Sequence, residues 1–191
     1  MTLRALTAVV AARLYEQRRV VSYAYIATAV VGLLQPHGAA GPVFFGSLLG
    51  IVIALAQSPG RYPHLDCCEQ CAPLFGRELA RAKALVPCIA VAIAAIVYAG
   101  AASARGSSDA PLALAIALPA VIATTLIALC AAIRHGSSQA LYVSLACAAS
   151  VTAYALAVWA HSLLGELAFC AVAAFVGLRQ YGEALARYDP V

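Results

Sequence analysis

VVSYAYIATAVVGLLQPHGAAGPVFFGSLLGIVIALAQ, Val20–Gln57, runs for 38 residues without a formal charge. About 20 apolar residues cross a bilayer, so this stretch is two membrane spans joined at the polar turn Gln35-Pro36-His37-Gly38. Three more uncharged stretches follow: Ala84–Ala104, Ala110–Ile133 and Gly136–Ala160. A sixth, Ser162–Leu178, holds Glu166 near its start. The expected fold is all-α: a polytopic membrane protein of six transmembrane helices with both termini on one side.

The basic residues give the orientation. With the N-terminus inside, Arg4, Arg13, Arg18, Arg19, Arg61, Arg77, Arg81, Lys83, Arg134, Arg179 and Arg187 are cytoplasmic and only Arg105 is outside. Such asymmetry of Lys and Arg is the positive-inside pattern, and it predicts a multi-pass protein of the inner (plasma) membrane with cytoplasmic termini. The formal charge of +4 is then accounted for by topology anchors and contacts with anionic lipid. No basic stripe with interleaved aromatics is left over for nucleic acid.

A chain of 191 residues that is 64% hydrophobic leaves no room for a separate soluble domain, so residues 1–191 are one transmembrane domain. Within it, residues 1–19 are expected as an interfacial helix with Leu3, Leu6, Val10 and Leu14 on one side and Arg4 and Arg18 on another. Spans one and two occupy 20–57, a cytoplasmic segment 58–83, spans three to six 84–178, and a cytoplasmic tail 179–191. Charges interrupt the first 19 residues, so they do not read as a cleavable signal peptide. Pro87 and Pro119 are expected to bend spans three and four. Tyr142, Trp159 and Tyr181 suit interfacial anchoring. Gly46 and Gly50 form a small-xxx-small pair, and the spacing serves packing within the chain and a dimer interface equally well.

Segment 58–83 carries most of the functional information. After the turn-rich exit Ser58-Pro59-Gly60-Arg61-Tyr62-Pro63 comes a short helix, His64-Leu65-Asp66-Cys67-Cys68-Glu69-Gln70-Cys71-Ala72. Pro73 breaks it, and the charged run Leu74–Lys83, with Arg77, Glu78, Arg81 and Lys83, leads into span three. These residues predict a helical hairpin facing the cytosol, with Asp66 and Glu69 on the exposed side of its first helix.

An N-terminal amphipathic helix, six spans, and a segment between spans two and three with Pro73, Glu78 and Lys83 at this spacing resemble the type 2 ATP-binding-cassette permeases. In that family an Arg often stands at the place of Gly76; here Arg77 lies one residue later. The resemblance covers most of the chain in topology and about fifteen residues in motif. It implies the membrane half of an ATP-driven exporter, working as a homo- or heterodimer with a second permease half and with separate P-loop ATPase subunits that bind ATP and Mg. The contacts to the ATPase would come from Asp66, Glu69, Pro73, Arg77, Glu78, Arg81 and Lys83. The family often carries reentrant helices between spans five and six, where this chain offers only Trp159–Glu166.

The chain itself cannot be the ATPase. Its only lysine, Lys83, lies outside any Gly-x-x-x-x-Gly-Lys-Ser/Thr loop, and no catalytic constellation is apparent. Cys88, Cys130, Cys147 and Cys170 read as small apolar core residues. His64, Cys67, Cys68 and Cys71 lie within eight residues, and they are weak candidates for a soft-metal or redox site. A second reading, a small integral-membrane enzyme or a metal- or redox-responsive protein built on that cluster, stays open at this point. Glu166 is either a polar group at membrane depth or, the favoured placement, a water-facing carboxylate at the N-terminus of span six that the helix dipole stabilises. His37, His135 and His161 fall in turns.

Overall fold

Long runs of Ala, Leu, Val and Ile, with turn residues only at their ends, leave a membrane-spanning backbone little choice but to satisfy itself as helix. The computed structural model describes residues 3–34, 40–57, 62–70, 76–108, 110–134 and 137–187. Among them are seven helices and no strand: α1 (Leu3–Leu34), α2 (Ala40–Leu55), α3 (Pro63–Gln70), α4 (Gly76–Ala104), α5 (Ala110–Arg134), α6 (Ser137–Trp159) and α7 (Leu163–Ala186). Four of these, within α4, α5, α6 and α7, are long and apolar enough to cross a membrane. The shorter α2 is apolar as well.

α5 is the hub, packing against α2, α4, α6 and α7. Its buried positions are dominated by alanine, including Ala113, Ala117, Ala120, Ala123, Ala128 and Ala131. Small side chains let several backbones crowd around one helix where no hydrophobic force drives the helices together. Gly46 and Gly50 belong to this packing. A Cβ on Gly46 would stand 2.7 Å from Val121 Cγ2, and one on Gly50 would collide with Thr125 Oγ1. Their pair therefore seats α2 on α5 within the chain. Pro87 and Pro119 sit inside helices that continue past them.

α1 differs from the expected interfacial helix followed by a separate span. It runs unbroken for 32 residues, and the apolar face of its first turns packs on protein: Leu6, Val9, Val10 and Leu14 meet Ala82, Val86 and Ile89 of α4. Farther along, Val21 joins Val91, and Val31 joins Tyr98 and Ala102. The two helices thus run parallel and in contact along their length. Gly32 closes the far end, where a Cβ would come within 2.9 Å of both the Tyr98 carbonyl oxygen and Ala101 Cβ. There Arg105 donates to the Leu33 carbonyl oxygen at 3.2 Å, so the one arginine assigned to the outside satisfies a carbonyl that the end of α1 leaves open.

The link between α6 and α7 is three residues, 160–162. It leaves no length for a reentrant helix. Ser162 caps α7, its Oγ accepting from the Gly165 N–H at 3.2 Å. Tyr181, expected at an interface, is instead core: it is 1% exposed and packs with Ile51, Ala80, Ala84 and Leu129. The inner face of α7 crosses α4 and α5 at that level, which covers the ring. Tyr142 is exposed.

Candidate functional site

Helix α3 starts where its sequence says it should. Pro63 occupies the first helical position, which needs no donor, and the Tyr62 carbonyl oxygen accepts from the N–H groups of Leu65 and Asp66, both at 3.0 Å. One turn later the helix divides its residues sharply. His64, Cys67 and Cys68 are exposed, whereas Glu69 is buried and Asp66 nearly so.

Under α3 lies a four-charge cluster. Arg13 of α1, fully buried, donates from Nε to Glu69 Oε1 at 2.6 Å and from Nη2 to Glu69 Oε2 at 2.8 Å. The same Nη2 reaches Asp66 Oδ1 at 2.6 Å. From α4, Lys83 Nζ lies 2.7 Å from Glu69 Oε2 and 3.3 Å from Asp66 Oδ1. Gln57, just past α2, accepts a longer contact from Arg13 Nη1 at 3.5 Å. Two cations face two carboxylates, so the cluster is neutral as a whole, and its fork-on-carboxylate geometry is the strong form of such a contact. Burial alone would lower the Arg13 pKa, but the hydrogen bonds and charges of Glu69 and Asp66 outweigh it and hold the guanidinium above its ordinary value.

This arrangement corrects the expectation that Asp66 and Glu69 point outward. They point inward because Arg13 and Lys83, left buried at the edge of the bundle by the packing of α1 on α4, need carboxylates. Glu78 is partly buried and Arg81 exposed on α4. Pro73 and Cys71 lie outside the described residues, as do Arg61, His37, Asp109 and His135, and nothing of the Arg77 side chain is described.

In the sequence Arg13 reads only as a topology anchor. The signal for its role was present: Val10, Arg13, Gln17 and Val21 recur at helical spacing, and all four are buried. A charge and an amide inside an apolar stripe need partners elsewhere in the chain. Gln17 finds none among the described residues, where neither its Oε1 nor its Nε2 has a hydrogen-bond partner.

Of the weak metal candidates, His64, Cys67 and Cys68 are described and Cys71 is not. Among the described residues no three His, Cys, Asp or Glu side chains converge as a metal site. His64 Nε2 instead lies 3.6 Å from Glu16 Oε1 and edge-on to Tyr62. Cys67 and Cys68 are free thiols, as are Cys88, Cys130, Cys147 and Cys170.

Glu166 is also placed differently from the favoured expectation. It is 0% exposed, and among the described residues neither carboxylate oxygen has a hydrogen-bond partner. The reason lies in the register of α7: Glu166, Cys170, Gly177 and Tyr181 form its buried stripe, and Ser162 has already taken the capping role at the helix end. His161, in the turn before it, is exposed as expected.

Comparison of the chain with protein-family models, with curated proteins and with solved structures finds no match to any of them.

Proposed function

We propose that the chain is the membrane-spanning half of an ATP-driven exporter, coupling ATP hydrolysis on a separate P-loop subunit to movement of a substrate across the plasma membrane. The observation that carries this reading is the division of α3: its inward carboxylates clamp it to α1 and α4, while His64, Cys67 and Cys68 are left facing out. A short helix fixed to two long ones and free on its other side suits a part that receives force from a partner and passes it on as rigid-body motion. The resemblance of Pro73, Glu78 and Lys83 to type 2 ATP-binding-cassette permeases supports the same assignment.

In this reading the last half of α1 and all of α2 supply two crossings beside α4 to α7, making six. The arginine-rich end, with α3 and both termini, faces the cytosol. Two such halves form the dimer, and ATP and Mg bind the partner ATPases. The contact surface on α3 is revised from Asp66 and Glu69 to the outward His64, Cys67 and Cys68.

The test is association with the ATPase. The purified chain is expected to bring down a P-loop ATPase and to hydrolyse no ATP alone. Cys67→Glu with Cys68→Glu is expected to abolish that association while the protein stays monodisperse. Robust turnover by the isolated chain would reject the assignment, and unchanged association would remove α3 from the contact.

A further inference from the structure

A second feature of the arginine-rich end is independent of the exporter reading and requires only that the chain sit in a membrane. The first turns of α4 and the last turns of α7 border an open groove of about 590 Å³, within the usual range of small-ligand sites. Its floor is tight. A Cβ on Gly182 would lie 3.9 Å from Ala80 Cβ, so the two helices nearly touch beneath it.

The groove is apolar at one end and cationic at the other. Phe175, Arg179, Glu183 and Arg187 follow one another at four-residue spacing along α7, with Leu178 beside Phe175 and with Arg81 opposite on α4. Arg179 is engaged by Glu183, Nε to Oε1 at 3.1 Å. The guanidinium groups of Arg81 and Arg187 have no ion pair among the described residues, and both are exposed. On the other flank of Glu183 and Arg187 stands Arg134. Among the described residues that line the two flanks, there are thus four arginines and one carboxylate. Phe175 is 66% exposed at the level where α7 enters its apolar stretch.

We propose that this groove is a binding site for an anionic phospholipid, its phosphate held by Arg81 and Arg187 and the first part of an acyl chain lying along Leu178 and Phe175. Charge complementarity selects an anion. The continuity from guanidinium groups to an exposed aromatic ring selects one with a hydrocarbon tail, because a basic pocket between helices at a membrane face matches a lipid headgroup in both depth and charge. Glu183 opposes the ligand and, by holding Arg179, leaves Arg81 and Arg187 as the available donors.

The experiment is lipid titration of the full chain in non-ionic detergent, read by native mass spectrometry, with phosphatidylglycerol and phosphatidylcholine of the same acyl chains. Phosphatidylglycerol is expected to bind preferentially. Arg81→Gln and Arg187→Gln are each expected to weaken it about fivefold, and Glu183→Gln to strengthen it. Arg18→Gln is the control: this exposed arginine at the same end of the molecule stacks over Tyr15 and should leave binding unchanged. Glycerol 3-phosphate, which lacks the chains, should not compete. Equal binding of both lipids, loss with Arg18→Gln as large as with Arg81→Gln, or full competition by glycerol 3-phosphate would each overturn the proposal.

Discussion

Arg13 and Glu69, 56 residues apart in sequence, meet in a two-point contact of 2.6 and 2.8 Å that is closed to solvent. A buried guanidinium that loses its carboxylates, or carboxylates that lose their guanidinium, leave an uncompensated charge costing about 3–5 kcal/mol. Arg13→Met is therefore expected to lower stability by about that amount, measured by chemical unfolding in detergent. Arg13→Met combined with Glu69→Leu leaves Asp66 facing Lys83 as a balanced pair and should recover much of the loss. Because the Arg13 pKa is raised, its contribution is complete at all pH values below the ordinary arginine pKa and fades only above it. A shift from pH 6 to pH 9 should not reproduce the effect of the substitution. A single substitution without cost would show that the cluster does not hold α3 down.

The cysteines should divide by reactivity. Cys67 and Cys68 lie on the exposed face of α3, whereas Cys130 and Cys170 are buried in the bundle. A membrane-impermeant maleimide applied to sealed inside-out vesicles is expected to label the first two rapidly and the last two only after denaturation. Labelling of Cys67 and Cys68 from the opposite side alone would reverse the proposed orientation.

Glycine substitutions should sort by the space behind each residue. Gly50→Leu would drive a side chain into Thr125, and Gly177→Leu would press on the Leu126 backbone, whose carbonyl carbon would lie 3.2 Å from the new Cβ. Each is expected to cost about 1–3 kcal/mol or more from overpacking. Gly100, with nothing within 4 Å of a Cβ, should accept leucine with little change. If Gly50→Leu altered only the oligomeric state and left the thermal stability of the chain intact, the α2–α5 contact would not be the role of that glycine.

Glu166 offers a test of function against stability. A fully buried carboxyl without a hydrogen-bond partner among the described residues carries an unrecovered desolvation cost of about 1–3 kcal/mol. Glu166→Met, of similar volume, should raise the unfolding temperature. If the residue serves transport, the more stable variant will move less substrate. A fall in stability would mean that Glu166 has a partner in the folded protein.

The helical elements were legible because uncharged runs of spanning length and their bounding turns are local features. Ala84–Ala104 and Ala110–Ile133 correspond to the apolar parts of α4 and α5, and Pro63 marks the start of α3. The partners across the fold were not legible. Asp66 and Glu69 alternate with exposed residues on an eight-residue helix, and nothing within that helix says which side is covered. The answer lies in Arg13, supplied by a segment that reads as a membrane-surface helix until its apolar face is seen to need Val86 and Ile89. Glu166 failed in the same way. A carboxylate in the first turn of a helix is the usual dipole partner, and only the register shared with Cys170 and Tyr181 turns it inward.

The unbroken pairing of α1 with α4 sets the scale on which a small push is felt. Arg13 in the charge cluster and Gly32 in its close approach to Tyr98 grip α1 at two points 19 residues apart, about 28 Å at 1.5 Å per residue. Without a hinge between those points, a tilt of about 5° at α3 displaces the far grip by roughly 2.5 Å. The two helices would then act as a beam: motion too slight to disturb the ion pairs at one membrane face would open or close a gap between side chains at the other.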